Sequence, residues 1–502
     1  MAITSEEIGR RRWSKATSVR LLLIGILLFA VNFIVVLSKR SLVWHSQRDL
    51  ELRETYNAFL ETGTLLIKAI GTGSYNVQAP GEGPWVSAAW DDDPGAYIVG
   101  SLMGLFTRLD SPYPGLGLAV ALLAAIPMLW LPTAVARLFN KPVAGYVIAF
   151  LPLVMWFVNN GSFIAGSQYG LSDKVAETPV YAIYGIAASL AFLSLSLLLL
   201  LCTFKMTTGM LVLMSMIIVV LAAAGNLARS LSGIGVALGV GLLWWLHSSG
   251  RMRRLAVGLT AAAVAVVLAV GLQHAVMQGL NSARAHATQQ DMQDLPNSHG
   301  TWHPLYIGLA WPEPITGQPS PFDVRWDDLF GWSQAQKVDP DVVVGSAEYD
   351  QILKDYYLDA VLTHPFVALK LYLQKFFYVL HHFAAMILFV VFGGIITYLR
   401  RSRERRALPL TATLVAPTLA LGLIPPIAVM PMLYYYSELT AALSLLVAVA
   451  LGGVAWSLSL FSRERKQSFG TGTSKSACGS TLSERVRSGE LPAVSGSLNN
   501  HE

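Results

Sequence analysis

Stretches of roughly 20 residues without a charge recur along this chain, and segments that long and apolar have few structural options. Hydrocarbon offers no partner to a backbone N–H or C=O, so each segment must close its hydrogen bonds within itself as a helix. The first runs over 21–37, and others are read at 94–109, 115–138, 142–157, 180–204, 211–224, 231–247, 255–272, 383–399, 410–424 and 433–460. The fold class expected is an all-α polytopic membrane protein of about 10–12 transmembrane helices, with a long first outer loop and a larger extracytoplasmic insert. A mean hydropathy of +0.50 with only 13% charged residues excludes a soluble multidomain protein.

Basic residues fall in short blocks beside the apolar segments. That is the pattern of topology determinants, not of nucleic-acid binding, although the formal net charge is +5. Arg10, Arg11, Arg12, Lys15 and Arg20 precede the first segment, which is too long for a signal-peptide core and reads as a signal anchor. The clusters at 251–254, 400–406 and 463–466 read as cytoplasmic with them. The expected organisation is a cytoplasmic segment 1–18, a core 19–275 that includes outer loop 38–93, an extracytoplasmic insert 276–364, C-terminal helices 365–461 and a disordered tail 462–502. Were 94–109 to cross, Arg137 and Lys141 would face the wrong side; a short or re-entrant helix removes the conflict. Within the first loop, Leu52, Tyr56, Phe59, Gly63, Ile67 and Ile70 recur at helical spacing, as an interfacial helix requires. Cys202 and Cys478 lie outside the outer loops, so those loops fold without disulfides.

In a chain so poor in charge, concentrated carboxylates call for a reason. Asp91, Asp92 and Asp93 stand directly before Pro94-Gly95-Ala96-Tyr97. Clustered carboxylate oxygens suit a hard cation such as Mg2+ or Mn2+, with Asp91 and Asp93 as ligands. One carboxylate at the water–lipid boundary also suits a general base, and Asp before Pro-Gly suits a helix-capping turn. Asp49 offers a second acid, or a polar-face partner for Arg48 or Arg53. The insert carries His299, Trp302, His303, Trp311, Trp326, Asp327, Asp328 and Trp332. Its indoles fit sugar stacking or interface anchoring equally; its histidines with Asp327 or Asp328 are a weak zinc candidate, since Pro304 interrupts the spacing. Arg229, Lys370 and Lys375 stand at expected outer edges, where cations hold a lipid phosphate or snorkel. Glu438, following Tyr434, Tyr435 and Tyr436, is an acid at the start of the last segment. Gly235 and Gly239 read as close helix packing.

The layout resembles the GT-C superfamily of integral-membrane glycosyltransferases, from about residue 19 to 460. It shares a cytoplasmic N-terminus, one span, a long acidic outer loop with an interfacial helix, and then many spans. Asp92-Asp93-Pro94-Gly95-Ala96-Tyr97 looks like the junction between acidic loop and second helix in several such families. The resemblance implies sugar transfer from a polyprenyl-phosphate donor to a glycan, lipid or protein acceptor, on the extracytoplasmic side of a bacterial cytoplasmic membrane. Asp92 or Asp93, with Asp49 as the alternative, would deprotonate the acceptor or hold a cation. Arg229, Lys370 and Lys375 would bind the donor phosphate, and Trp302, His303, Trp326, Asp327 and Asp328 the acceptor. A surface-polysaccharide polymerase or ligase would share the donor; a lipid-sugar flippase would carry paired repeats and charges deep within its spans, which this chain shows little of.

Overall fold

The computed structural model describes residues 13–38, 46–68, 85–87, 94–107, 112–158, 182–229, 231–289, 300–342, 345–399, 406–432 and 435–474. It is a helical bundle, all-α apart from one three-residue antiparallel ladder, β1 (Leu66–Lys68) on β2 (Trp85–Ser87). Among the described residues, seven helical segments are long and apolar enough to cross a membrane: Lys15–Leu37, Pro114–Leu138, Gly185–Cys202, Thr208–Ala228, Arg251–Thr288, Ala407–Ala428 and Ser437–Leu460. An eighth is a bent pair, Pro365–His382 with Ala384–Tyr398, and Gly95–Thr107, Pro142–Val158 and Ser232–His247 are shorter apolar helices.

Helix α1 (Lys15–Ser38) turns Leu21, Leu28, Asn32 and Val36 inward and leaves Leu23, Leu27 and Ile34 on the outside. Lipid is as apolar as leucine, so close backbone approach, not apolar burial, has to hold such helices together. At Gly25 a Cβ would sit 2.4 Å from the Leu129 carbonyl oxygen, and Asn32 Nδ2 donates to Ala124 O at 2.7 Å. Helix α2 (Ser46–Thr62) follows, then α3 (Gly95–Thr107) and α4 (Tyr113–Ala125). The interfacial helix expected to reach Ile70 stops at Thr62: Gly63 turns to φ +74, and 66–68 pair as a strand instead. At 13 residues, α3 is roughly 20 Å long, short of the roughly 30 Å of hydrocarbon.

A 3-10 turn (Ile126–Leu129) leads into α5 (Leu131–Leu138), and α6 (Pro142–Tyr146) continues through a second (Val147–Phe150) to α7 (Leu151–Val158). The bundle's centre is α8 (Ala182–Cys202), α9 (Thr208–Ala228), α10 (Ser232–His247), α11 (Arg251–Thr288), α18 (Ala407–Gly422) and α20 (Ser437–Ser474). Helix α10 is thin by composition: a Cβ at Gly235 would lie 2.5 Å from Thr418 Cα, and one at Gly239 would lie 2.9 Å from Leu198 Cδ1. Helix α11 has 38 residues, roughly 57 Å. The span expected to end at 272 therefore continues through the start of the expected insert, because its polar last third contains no proline and the single Gly279 is not enough to end it. Arg284, fully buried there, donates Nε–H to Leu65 O at 2.8 Å.

The insert folds as α12 (Trp302–Ile307), α13 (Glu313–Thr316), α14 (Asp328–Gln336) and α15 (Ala347–Thr363). Its core of Tyr306, Ile307, Leu309, Trp311, Tyr349 and Leu353 is shared with Leu371, Val429 and Met430. Those last three belong to α16 (Pro365–His382) and to the chain following α19 (Ile424–Ala428), so the insert is anchored on the bundle. Helix α16 meets α17 (Ala384–Tyr398) at 64°. The backbone of α20 stays helical to Ser474, into the region expected to be a disordered tail.

Candidate functional site

The α9–α10 hairpin is built so that one arginine must point into the bundle. A Cβ on Gly233 would fall 1.8 Å from Ala222 O, so only glycine lets the two helices touch at that point. Asn226 Oδ1 accepts the Gly233 N–H at 2.8 Å, which closes the turn. Between them Arg229 leaves the helix at φ −166, ψ 128, and Leu231 adopts the left-handed region at φ +73, a strain of about 1–2 kcal/mol for a side chain with a Cβ. The result is a guanidinium only 4% exposed.

Helix α20 begins where that guanidinium arrives. Arg229 Nη1 lies 3.6 Å from Glu438 Oε2 and 3.5 Å from Ser437 Oγ, and its Cζ sits 5.0 Å from the Tyr435 ring centroid. Glu438 is itself buried, and neither of its carboxylate oxygens has a hydrogen bond among the described residues. The Ser232 and Thr418 hydroxyls share that condition, and all three side chains line one small void with Leu231, Gly422 and Pro425. A buried polar atom left unpaired costs about 1–3 kcal/mol. A cluster of them at one end of an apolar bundle, around a void of about 10 Å³, leaves room for about one water to complete the bonding. On the other flank, a Cβ at Gly95 would lie 2.7 Å from Ala228 Cα. The first turn of α3, to which the acidic junction leads, thus abuts the residue preceding Arg229.

The other expected residues divide clearly. Asp91, Asp92, Asp93 and His299 lie outside the described residues, as does the side chain of Asp49, whose backbone is in α2. Lys370 is exposed on α16. Lys375 is fully buried and donates from Nζ to Gly308 O at 2.8 Å and Val429 O at 2.6 Å, which ties insert to bundle. His303 is buried between the Tyr349 hydroxyl and Asp328 Oδ1, the latter at 3.1 Å from Nε2. A Cβ at Gly331 would meet its ring at 2.9 Å. Asp327 caps α14 by accepting Leu329 N–H at 3.0 Å. Trp302 packs 5.5 Å from Tyr357, with Lys354 Nζ 5.8 Å from its ring, and Trp326 packs against the insert's core. Burial, then Tyr356 and Asp323, push the Tyr306 hydroxyl up to about 12, so it stays a proton donor.

Among the described residues no three His, Cys, Asp or Glu side chains gather as a metal site would need. Ser232, Thr418 and Ser437 were not identifiable from sequence: hydroxyls recur in and beside the apolar segments, and only packing brings these three together. No family model matches this chain, and no match is found among the curated proteins or the solved structures.

Proposed function

We propose that this chain is a membrane glycosyltransferase that moves a sugar from a polyprenyl-phosphate donor to a glycan, lipid or protein acceptor at the extracytoplasmic face of a bacterial cytoplasmic membrane. The observation that carries this reading is the buried Arg229–Glu438 cluster with the first turn of α3 beside it. Topology supports it. If α3 is too short to cross, the seven long spans, the bent pair and the other two shorter helices make ten crossings. Every basic block then falls on the N-terminal side, with Arg137, Lys141 and Lys205. Arg229, Glu438, the acidic junction and the insert fall together on the other side.

In this reading the acceptor hydroxyl gives its proton to Asp92 or Asp93, with Asp49 as the alternative. Its oxygen bonds to the anomeric carbon as the bond from that carbon to the phosphate oxygen breaks. The electron pair leaves with the polyprenyl phosphate, which gains one negative charge, and a buried cation beside that phosphate favours the transition state over the ground state. The insert, with Trp302, His303, Trp326, Asp327 and Asp328, contacts the acceptor.

The test is a panel of polyprenyl-phosphate sugars presented to the protein in nanodiscs, reading release of free polyprenyl phosphate. At least one donor is expected to turn over, and Asp92→Asn with Asp93→Asn to slow it by about a hundredfold or more while the protein stays folded. Absence of release with every donor, together with movement of lipid-linked sugar across vesicles, would replace this reading with the flippase.

A further inference from the structure

Far from Arg229, at the other end of α9, the bundle opens sideways. Helices α10 and α11 approach closely because glycine faces glycine: a Cβ at Gly241 would lie 2.6 Å from Gly258 O. Helix α9 packs on α10 as well but stands away from α11 there, leaving a groove of about 410 Å³ between them. Val240 and Trp244 form its floor, Val212 and Met216 one wall, and Val257 and Val264 the other. Two of its three polar side chains are spent on each other, since Trp244 Nε1 donates to Ser215 Oγ at 2.9 Å and that hydroxyl donates to Leu211 O at 2.8 Å, which leaves the Thr260 hydroxyl in an otherwise apolar lining. The lining therefore suits a hydrocarbon chain. From Ala256 to Leu268 the groove follows α11 for roughly 18 Å, close to the depth of one leaflet's hydrocarbon, roughly 15 Å.

Its end is charged. Arg253 precedes Ala256 and Val257 by three and four residues on α11, which puts it on the same helical face as the groove lining. It is exposed, as are Arg251 beside it and Lys205 just before α9. Apolar slot and basic mouth together match a lipid with an acyl chain and a negatively charged headgroup. The geometry points to a binding site for one anionic phospholipid, an acyl chain seated between α9 and α11 and its phosphate at Arg253. This ligand is not the proposed sugar donor: the 21 residues of α9, roughly 31 Å of helix, separate the groove's basic end from Arg229.

The experiment is native mass spectrometry of the full chain after exchange into equal amounts of phosphatidylglycerol and phosphatidylcholine. Wild type is expected to retain one phosphatidylglycerol in preference to phosphatidylcholine, and Arg253→Gln to reduce that preference about fivefold, the effect of one interfacial basic residue. Val264→Trp, which fills the groove from a half-exposed position, should abolish retention of either lipid. Met216→Trp from the facing wall repeats the test if that variant does not fold. Leu259→Trp, exposed on the opposite face of α11, should retain phosphatidylglycerol as wild type does. Equal retention of both lipids by wild type overturns the site, as does unaltered retention in both folded groove variants or loss in Leu259→Trp.

Discussion

Lys375 and Arg229 are both buried cations, and their surroundings treat them differently. Lys375 reaches two backbone carbonyls at ordinary hydrogen-bond distances and pins the insert to the bundle. Glu438 lies 3.6 Å from Arg229 Nη1, and neither of its carboxylate oxygens has a hydrogen bond among the described residues. Burial alone therefore does not mark a site. A charge whose neighbours are saturated acts as a strut, whereas a buried carboxylate without hydrogen bonds reserves capacity for something that arrives later.

The sharpest test of that contrast separates stability from turnover at the Arg229–Glu438 pair. Arg229→Ala leaves Glu438 buried and uncompensated, so a loss of about 3–5 kcal/mol is expected in denaturant unfolding. The double variant Arg229→Met with Glu438→Met should recover most of this stability, because an apolar replacement of a buried pair is often neutral. It should still release no polyprenyl phosphate. Recovery of turnover as well would make the pair another strut.

At the saturated cation the expectation reverses. Lys375→Met strands the Gly308 and Val429 carbonyls, at about 3 kcal/mol, yet donor KM per folded molecule should not move. A raised KM would return Lys375 to the phosphate site. Within the insert, His303→Ala removes the partner of the Tyr349 hydroxyl and should cost about 2 kcal/mol. If acceptor KM rises more than stability falls, His303 contacts acceptor as well as Tyr349. The smallest effect is expected at Asp327→Ala, about 1 kcal/mol for a lost helix cap, measured by the same unfolding with turnover unchanged.

The chain's helical class, its apolar segments and the candidacy of Arg229 and Glu438 were legible in the sequence, because lipid forces long apolar runs into helices and penalises charge within them. Segment ends were less so. Nothing in the residues after Leu272 stops α11, and Gly63 ends α2 through a backbone turn that side-chain periodicity does not register. The role of Lys375 was hidden for another reason: the carbonyls that hold it come from Gly308 and Val429, far along the chain in both directions. The pairing of Arg229 with Glu438 likewise depends on how the hairpin is folded, and a spacing along one segment cannot encode it.

Helix α17 has a further consequence for the membrane around it. It has 15 residues, roughly 22 Å, and Leu388, Val391, Phe392 and Ile395 along it are exposed. Helix α3 presents a second short wall, with Leu102, Leu105 and Phe106 outward. A hydrocarbon slab of roughly 30 Å thins only beside such walls, at a cost of fractions of a kcal/mol per Å of mismatch, while the seven longer segments match its full thickness elsewhere. The elastic strain is confined to those two walls. The lipid shell around the protein is therefore uneven, thinner beside α3 and α17 than beside the long segments.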